Sequence, residues 1–146
     1  MVKVNTCVFI SGNGSNLKKL ILNSNKYNFP IKIKLVISNN KNAKGLKFAK
    51  KWSIPYFIIN NNQNLLENKL LIKLKNKKIK LILLAGYMKI LSKRFIRKFG
   101  KSIINIHPSL LPKFKGLNTF KRILIKKEKK TGCTVHYVNE KLDSGK

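Results

Sequence analysis

The stretch Ile79–Ala85, IKLILLA, is almost uninterrupted apolar sequence. A run this short without polar alternation reads as a strand buried on both faces, and such a strand needs helices packed above and below it. The rest of the chain supplies them in alternation. Val2–Ile10 reads as a strand, followed by a glycine-rich turn and a helix from about Leu17 to Asn25. Ile31–Ile37 is a second strand, then the turn SNNKN and a helix near Ala43–Lys51. Pro55–Ile59 is a short strand, and the leucines of Leu65–Leu74 have helical spacing. After Ile79–Ala85 comes a short helix to Phe99, with Ser92 as N-cap and Gly100 just past its end. Ile103–Ile106 is the next strand, Asn118–Lys127 a helix and Cys133–Val138 a last strand. This βαβα rhythm predicts an α/β fold with a mainly parallel sheet and helices on both faces.

At 146 residues the chain is sized for one domain, and its 43% apolar content is that of a globular protein. No apolar run reaches the roughly 18–20 residues of a membrane helix, and the N-terminus lacks the pattern of a secretory signal. Cys7 and Cys133 make no disulfide framework and suggest a reducing, cytoplasmic setting; two cysteines and two histidines without ligand spacing argue against a metal. The net charge of +29 raises the question of nucleic acid. Of 33 basic residues, however, only Arg94, Arg97 and Arg122 are arginine, and the other 30 are lysines spread along the whole chain. Arginine is the usual reader of bases and phosphates, so no specific nucleic-acid partner is expected. Lys, Asn and Ile are all in excess, and all three have AT-rich codons, so the charge reads mainly as compositional bias. It still implies nonspecific attraction to polyanions at low salt.

In sheets of this kind ligands bind beyond the carboxyl ends of the strands, which draws attention to SGNGSN, GYMKIL, HPSLLP and NEKLDSG. SGNGSNL follows a strand and opens a helix. The amides of Gly14, Ser15 and Asn16 would face an anion there; the alternative is a tight turn capped by Ser15. Leu17 stands where a dinucleotide fingerprint has its third glycine, and the second strand ends on Ser38, Asn39 and Asn40 without an acidic ribose ligand, so a phosphate monoester fits better than NAD. Asn105 and His107 lie two apart at a strand end and project to one side. An amide and an imidazole placed together can hold a developing oxyanion. Asp143, the only aspartate, lies in LDSG, where it either forms an Asx-turn or serves as the partner of His107. His136 alternates with Val135 and Tyr137 and reads as structural. AGYMKIL offers either core packing or an apolar wall for a flat ligand.

Five segments together, VFISGNGSNLKKLI, VISNNKNAKGLKFAKKWSIP, LAGYMKILSKRFI, NIHPSLLPKFKGLNTFKRIL and TGCTVHYVNEKLDSG, resemble the phosphoribosylglycinamide formyltransferases, in order and over nearly the whole chain. The resemblance implies a Rossmann-like formyltransferase fold as a single domain over residues 1–146. It implies transfer of the formyl group of 10-formyltetrahydrofolate, the co-substrate, to the amine of glycinamide ribonucleotide in purine synthesis, with no metal. The family's catalytic group falls on Asn105, His107 and Asp143. Asn105 and His107 would hold the oxyanion of the tetrahedral intermediate, while His107 donates a proton and Asp143 favours its charged form and relays protons through water. The substrate phosphate falls on Gly14, Ser15 and Asn16. The folate falls on Met88, Lys89, Ile90 and Leu91, on Asn105, and on Asn139, Glu140, Lys141, Leu142 and Asp143.

Three departures accompany the resemblance. Lys89 stands where many members have arginine; the loop at 60–64, NNNQN, has no arginine; and the chain ends at Lys146, where the family continues for several tens of residues, so a C-terminal truncation is expected. The related readings are a methionyl-tRNA formyltransferase, which shares the NIHxSLLP chemistry but adds an RNA-binding domain, a formyltetrahydrofolate deformylase, which adds an N-terminal regulatory domain, and a degenerate, truncated product with little activity.

Overall fold

The computed structural model describes residues 2–59 and 63–145. The expected β/α alternation is present: β1 (Val4–Ile10), α1 (Ser15–Ser24), β2 (Ile31–Ser38), α2 (Leu46–Lys51), β3 (Tyr56–Ile58), α3 (Gln63–Asn76), β4 (Leu81–Leu84), α4 (Lys93–Phe99), β5 (Ser102–His107), α5 (Thr119–Ile125) and β6 (Thr134–Tyr137). The strands form one sheet in the order β3-β2-β1-β4-β5-β6. All neighbouring pairs are parallel except β5 and β6, which run antiparallel.

The apolar strands are explained by a core on each face. From β1, Cys7 and Phe9 point into one cluster with Leu70 and Leu74 of α3 and Phe95 and Phe99 of α4. Val8 and Ile10 point into the other with Leu17 and Ile21 of α1 and Ala49 of α2. A strand walled on both sides has no position at which a polar side chain is cheap, which is why Cys7–Ile10 of β1 and the whole of β4 carry continuous apolar sequence. Burial also pushes the Cys7 thiol well above its ordinary range, so it stays protonated and behaves as a small hydrophobe. Cys133, expected inside the last strand, lies just before β6 and is exposed.

The chain winds outward from β1 through β2 to β3, then returns to place β4 on the other side of β1. The connections leaving β1 and β4 therefore part in opposite directions, which opens the crevice in which α/β sheets bind ligands. The walls of that crevice are the turn after β1 and the segment 86–91 after β4.

Local details follow the chain's capping chemistry. Ser92 Oγ accepts the Phe95 amide at 2.9 Å, and Gly100 closes α4 at φ 60, both as expected. Ser15 is not a cap: it is the first residue of α1, Gly14 is the N-cap at φ 74, and no side chain accepts the first-turn amides. Glycine is required there twice over, because a Cβ on Gly14 would come within 2.5 Å of the Gly45 Cα. That close approach is also why α2 starts at Leu46 and not at Ala43, since the turn before it is spent in packing Gly45 onto Gly14 and donating its amide to the Gly12 carbonyl at 2.9 Å. Helices α3 and α5 differ from expectation by a few residues at each end. Asn60 to Asn62 of the arginine-free loop, and Lys146, lie outside the described residues.

Candidate active site

The antiparallel pairing of β6 with β5 builds the floor of the site. In register, Asn105 faces His136 and His107 faces Thr134. Directly opposed residues in an antiparallel pair share a face, so two chemically able side chains from each strand project together. Thr134 anchors the turn that follows β5: its hydroxyl donates to the Ser109 carbonyl at 2.7 Å and accepts the Leu111 amide at 3.0 Å. Asn105 Nδ2 lies 3.3 Å from His136 Nε2, and His136 Nδ1 lies 3.0 Å from the Tyr137 carbonyl oxygen.

The carboxylate arrives from the chain's far end. Beyond β6 the backbone folds back, with Asp143 in the left-handed region at φ 44, a conformation that aspartate and asparagine tolerate. Gly145 lies so close to the Tyr137 carbonyl that a Cβ would overlap it. Exposed tethers hold the segment on either side: Glu140 pairs with Arg97 of α4 at 3.2 Å, and Lys115 Nζ donates to Ser144 Oγ at 2.7 Å. As a result Asp143 Oδ2 accepts the Gly116 amide at 2.8 Å and sits 3.4 Å from His107 Nδ1, while Oδ1 is 3.6 Å from His136 Nε2. All three side chains are buried, with 8% of Asp143, 5% of His107 and 3% of His136 exposed.

This geometry constrains the protons. His107 Nε2 lies 2.9 Å from the Phe114 carbonyl oxygen, which can only accept, so Nε2 carries a hydrogen. A second proton on Nδ1 gives an imidazolium facing the Asp143 carboxylate, whereas a neutral ring would set a lone pair against it. The ionised pair is tolerable at this burial because each charge has its partner and Asp143 has the Gly116 amide besides.

Beside the cluster is a cavity of about 220 Å3. Its lining includes Met88, Lys89, Ile90 and Leu91 from the segment after β4, Asn105, His107 and His136 from the floor, and Asn139, Glu140, Lys141, Leu142 and Asp143 from the returning segment. Every residue that the resemblance places on the folate therefore lies around one space. Its rim is apolar and open: Met88 is 61% and Ile90 65% exposed. Tyr87 stands edge-on to Phe9 with ring centroids 5.2 Å apart. Burial, and secondarily the charge of Glu67, push its hydroxyl up to about 12, so Tyr87 meets a ligand as a neutral phenol.

The turn residues Gly14, Ser15 and Asn16 do not line this cavity. They occupy the other wall of the crevice, where Ser15 and Asn16 are exposed. Ser11, at the end of β1, links the two parts. Its buried hydroxyl donates to Asn39 Oδ1 at 2.6 Å and accepts the Met88 amide at 2.7 Å, and its own amide donates to the Gly86 carbonyl at 3.2 Å. Ser11 and Tyr87 are members of the site that sequence reasoning does not single out. His136, which reads as structural in the sequence, touches Asn105 only because of the β5–β6 register; the one sequence sign is a histidine in the strand that follows the one bearing Asn105 and His107. Among the described residues no group of three metal-ligating side chains is placed to hold an ion, and no helix is long and apolar enough to cross a membrane.

Comparison with known proteins agrees with this geometry. Residues 4–146 match the family described as Formyl transferase. The chain is 46% identical over 142 residues to the phosphoribosylglycinamide formyltransferase of Haemophilus influenzae, a match covering 94% of this chain and 67% of that protein. It is 40% identical to the human trifunctional purine biosynthetic protein adenosine-3, covering 98% of this chain and 15% of that one. Among solved structures, the phosphoribosylglycinamide formyltransferase of Anaplasma phagocytophilum superposes with a TM-score of 0.90 at 39% identity, covering 97% of this chain and 68% of that one. The chain thus spans about two thirds of the length of these bacterial relatives, and these names favour the ribonucleotide enzyme over the tRNA-formylating one. The chain belongs to the formyl transferase family, among the phosphoribosylglycinamide formyltransferases.

Proposed function

We propose that this protein transfers the formyl group of 10-formyltetrahydrofolate to the amine of glycinamide ribonucleotide, as a single cytoplasmic domain acting on two small molecules. The observation that carries the proposal is the cluster of half-buried Asn105 with the buried His107, His136 and Asp143 side chains, opening into a cavity with an apolar rim. An amine is already a nucleophile, so the chemistry needs no activated serine or cysteine. It needs the two substrates aligned and a negative oxygen stabilised as the amine attacks the formyl carbon.

In this reading the pterin enters along Met88, Lys89, Ile90 and Leu91 and is met by polar groups of Asn139, Glu140, Lys141, Leu142 and Asp143. The segment 88–91 offers backbone groups as well as side chains, so Lys89 serves in place of an arginine without loss of the wall. Asn105 donates an N–H to the formyl oxygen, and the charged ring of His107, whose N–H groups are held by the Phe114 carbonyl and Asp143, favours the negative oxygen through its positive charge. As the tetrahedral intermediate collapses and its bond to the folate nitrogen breaks, the Nδ1 proton of His107 passes through Asp143 and water to that nitrogen, and the proton lost by the attacking amine returns by the same route to recharge the ring. The amides of Gly14, Ser15 and Asn16 hold the ribonucleotide phosphate across the crevice, supported by the uncapped start of α1.

The test is tetrahydrofolate production from 10-formyltetrahydrofolate, with and without glycinamide ribonucleotide, in the parent and in His107→Ala. The expected result is ribonucleotide-dependent turnover in the parent and a loss of roughly a hundredfold or more in the variant. Turnover that ignores the ribonucleotide, or equal rates in both proteins, would refute the proposal.

A further inference from the structure

The geometry points to His136 as a positioning residue for catalysis: we propose that its bare Nε2 accepts a hydrogen bond from Asn105 and so fixes which edge of that amide meets the formyl oxygen. The inference rests on the proposed role of Asn105 and adds a residue to it.

The reasoning begins with the Tyr137 carbonyl. It lies 3.0 Å from His136 Nδ1 and can only accept, so Nδ1 carries the hydrogen. A neutral ring then presents a lone pair at Nε2. Asn105 Nδ2 lies 3.3 Å away, and a primary amide nitrogen only donates, so donor and acceptor match. The Asp143 Oδ1 atom lies 3.6 Å from the same Nε2, beyond hydrogen-bond distance but within ion-pair reach, so a hydrogen on Nε2 is the competing state that the first readout below distinguishes. Among the described residues this is the only hydrogen bond made by the Asn105 side chain. An asparagine can turn its amide over at little steric cost, which would exchange a donor for an acceptor at the cavity. With the His136 contact in place, one N–H is spent on the imidazole and the second is left for the cavity that Asn105 lines. Without it, the amide oxygen is free to occupy the same place, where it would repel a developing oxyanion.

The register of the sheet makes this contact rigid. Asn105 and His136 are directly paired across β5 and β6, so no loop movement is needed to hold them together. The His136 ring is itself buried and locked by the Tyr137 carbonyl. A support whose own rotamer is fixed suits a group that must hold its geometry to a few tenths of an ångström.

The first readout needs no variant. In the 15N spectrum of histidine-labelled protein at the assay pH, His136 should be neutral, with its hydrogen on Nδ1 and Nε2 bare. An imidazolium, or a hydrogen on Nε2, would overturn the proposal. The second readout is kinetic. His136→Phe keeps a flat ring but removes the acceptor, and should lower kcat about 10- to 100-fold, part of what one oxyanion donor contributes, with KM for both substrates within about threefold of the parent. His136→Gln restores an acceptor and should recover most of kcat. The double variant Asn105→Ala/His136→Phe should be no slower than Asn105→Ala alone. An unaltered kcat in His136→Phe, an equal loss in both single His136 variants, or losses that multiply in the double variant would each overturn the positioning role. If Asn105→Ala alone keeps the full rate, the parent reading of Asn105 fails and takes this one with it. If Asn105→Ala is slow and His136→Phe is fast, only the role of His136 falls.

Discussion

Placing a methyl group on Gly14 should destabilise the protein by more than either element of the local geometry would alone. At φ 74 an alanine is held in the left-handed region, which costs about 1–2 kcal/mol. Its Cβ would also stand 2.5 Å from the Gly45 Cα, a backbone atom that cannot rotate away, and 3.4 Å from Phe48 Cδ2. Separating α1 from the turn before α2 to relieve that overlap adds about 1–3 kcal/mol, the usual cost of overpacking. The total is about 2–5 kcal/mol, and at roughly 2–4 °C per kcal/mol the melting temperature should fall by about 4–20 °C. Two neighbouring glycines separate the contributions. Gly86 is also left-handed, at φ 73, but a Cβ there meets nothing within 4 Å, so Gly86→Ala should cost about 1 kcal/mol. Gly12 has open space and no positive φ, so Gly12→Ala should stay within about 0.5 kcal/mol. The assay is thermal unfolding followed by circular dichroism on the four proteins in parallel. If Gly14→Ala melts within about 2–3 °C of the parent, or no lower than Gly86→Ala, the account of the Gly14–Gly45 contact is wrong.

Three further outcomes are expected. Ser11→Ala strands the Met88 amide and Asn39 Oδ1 away from their partner; it should cost about 1–3 kcal/mol in urea unfolding and raise KM for the folate more than for the ribonucleotide, and an unaltered folate KM would deny Ser11 its link to the cavity wall. Tyr87, held protonated up to about 12 in the folded chain and titrating near 10 when unfolded, binds its proton more tightly in the native state. The unfolded state therefore loses protons first as pH rises, so this contribution is intact below about pH 10 and is lost between about 10 and 12; Tyr87→Phe should flatten the fall in stability over that window by up to about 2 kcal/mol, and parallel curves would refute it. With a net charge of +29 and two anionic substrates, kcat/KM should drop several-fold between low and high salt while kcat holds; a salt-independent kcat/KM would show that the lysine coat does not steer them.

Much of the fold can be read from the sequence because the sheet is buried on both faces. A strand covered on both faces must be apolar, and Cys7–Ile10 of β1, Leu35–Ile37 of β2 and all of β4 announce themselves as such, while Lys32 and Lys34 mark the less covered start of β2. Ser92 and Gly100 are equally legible, since capping depends on local chemistry alone. What the sequence hides depends on long-range geometry. Ser15 is a plausible cap on local grounds, and only the contact with Gly45, far along the chain, presses Gly14 into the left-handed conformation at the head of α1. The antiparallel turn of β6 leaves no trace in four residues of alternating sequence, so His136 reads as structural. Physical reasoning finds Asn105 and His107 through their spacing on one strand and Asp143 through its isolation in a chain of four acidic residues. It offers their pairing only as the alternative to an Asx-turn, because the approach of Asp143 to His107 depends on a backbone reversal after β6 and on Gly145 resting against the Tyr137 carbonyl.

The most direct trial of the account is to neutralise the carboxylate without changing its shape. An asparagine in place of Asp143 would tolerate the same left-handed backbone and could still accept the Gly116 amide, so Asp143→Asn should fold like the parent. With the charge beside His107 removed, kcat for ribonucleotide-dependent formyl transfer should fall by about 10²–10⁴, the range for loss of a positioned acid–base group, while KM for both substrates moves by only a few-fold. A folded Asp143→Asn protein whose kcat stays within about twofold of the parent would show that the buried imidazole–carboxylate pair is not where the reaction takes place.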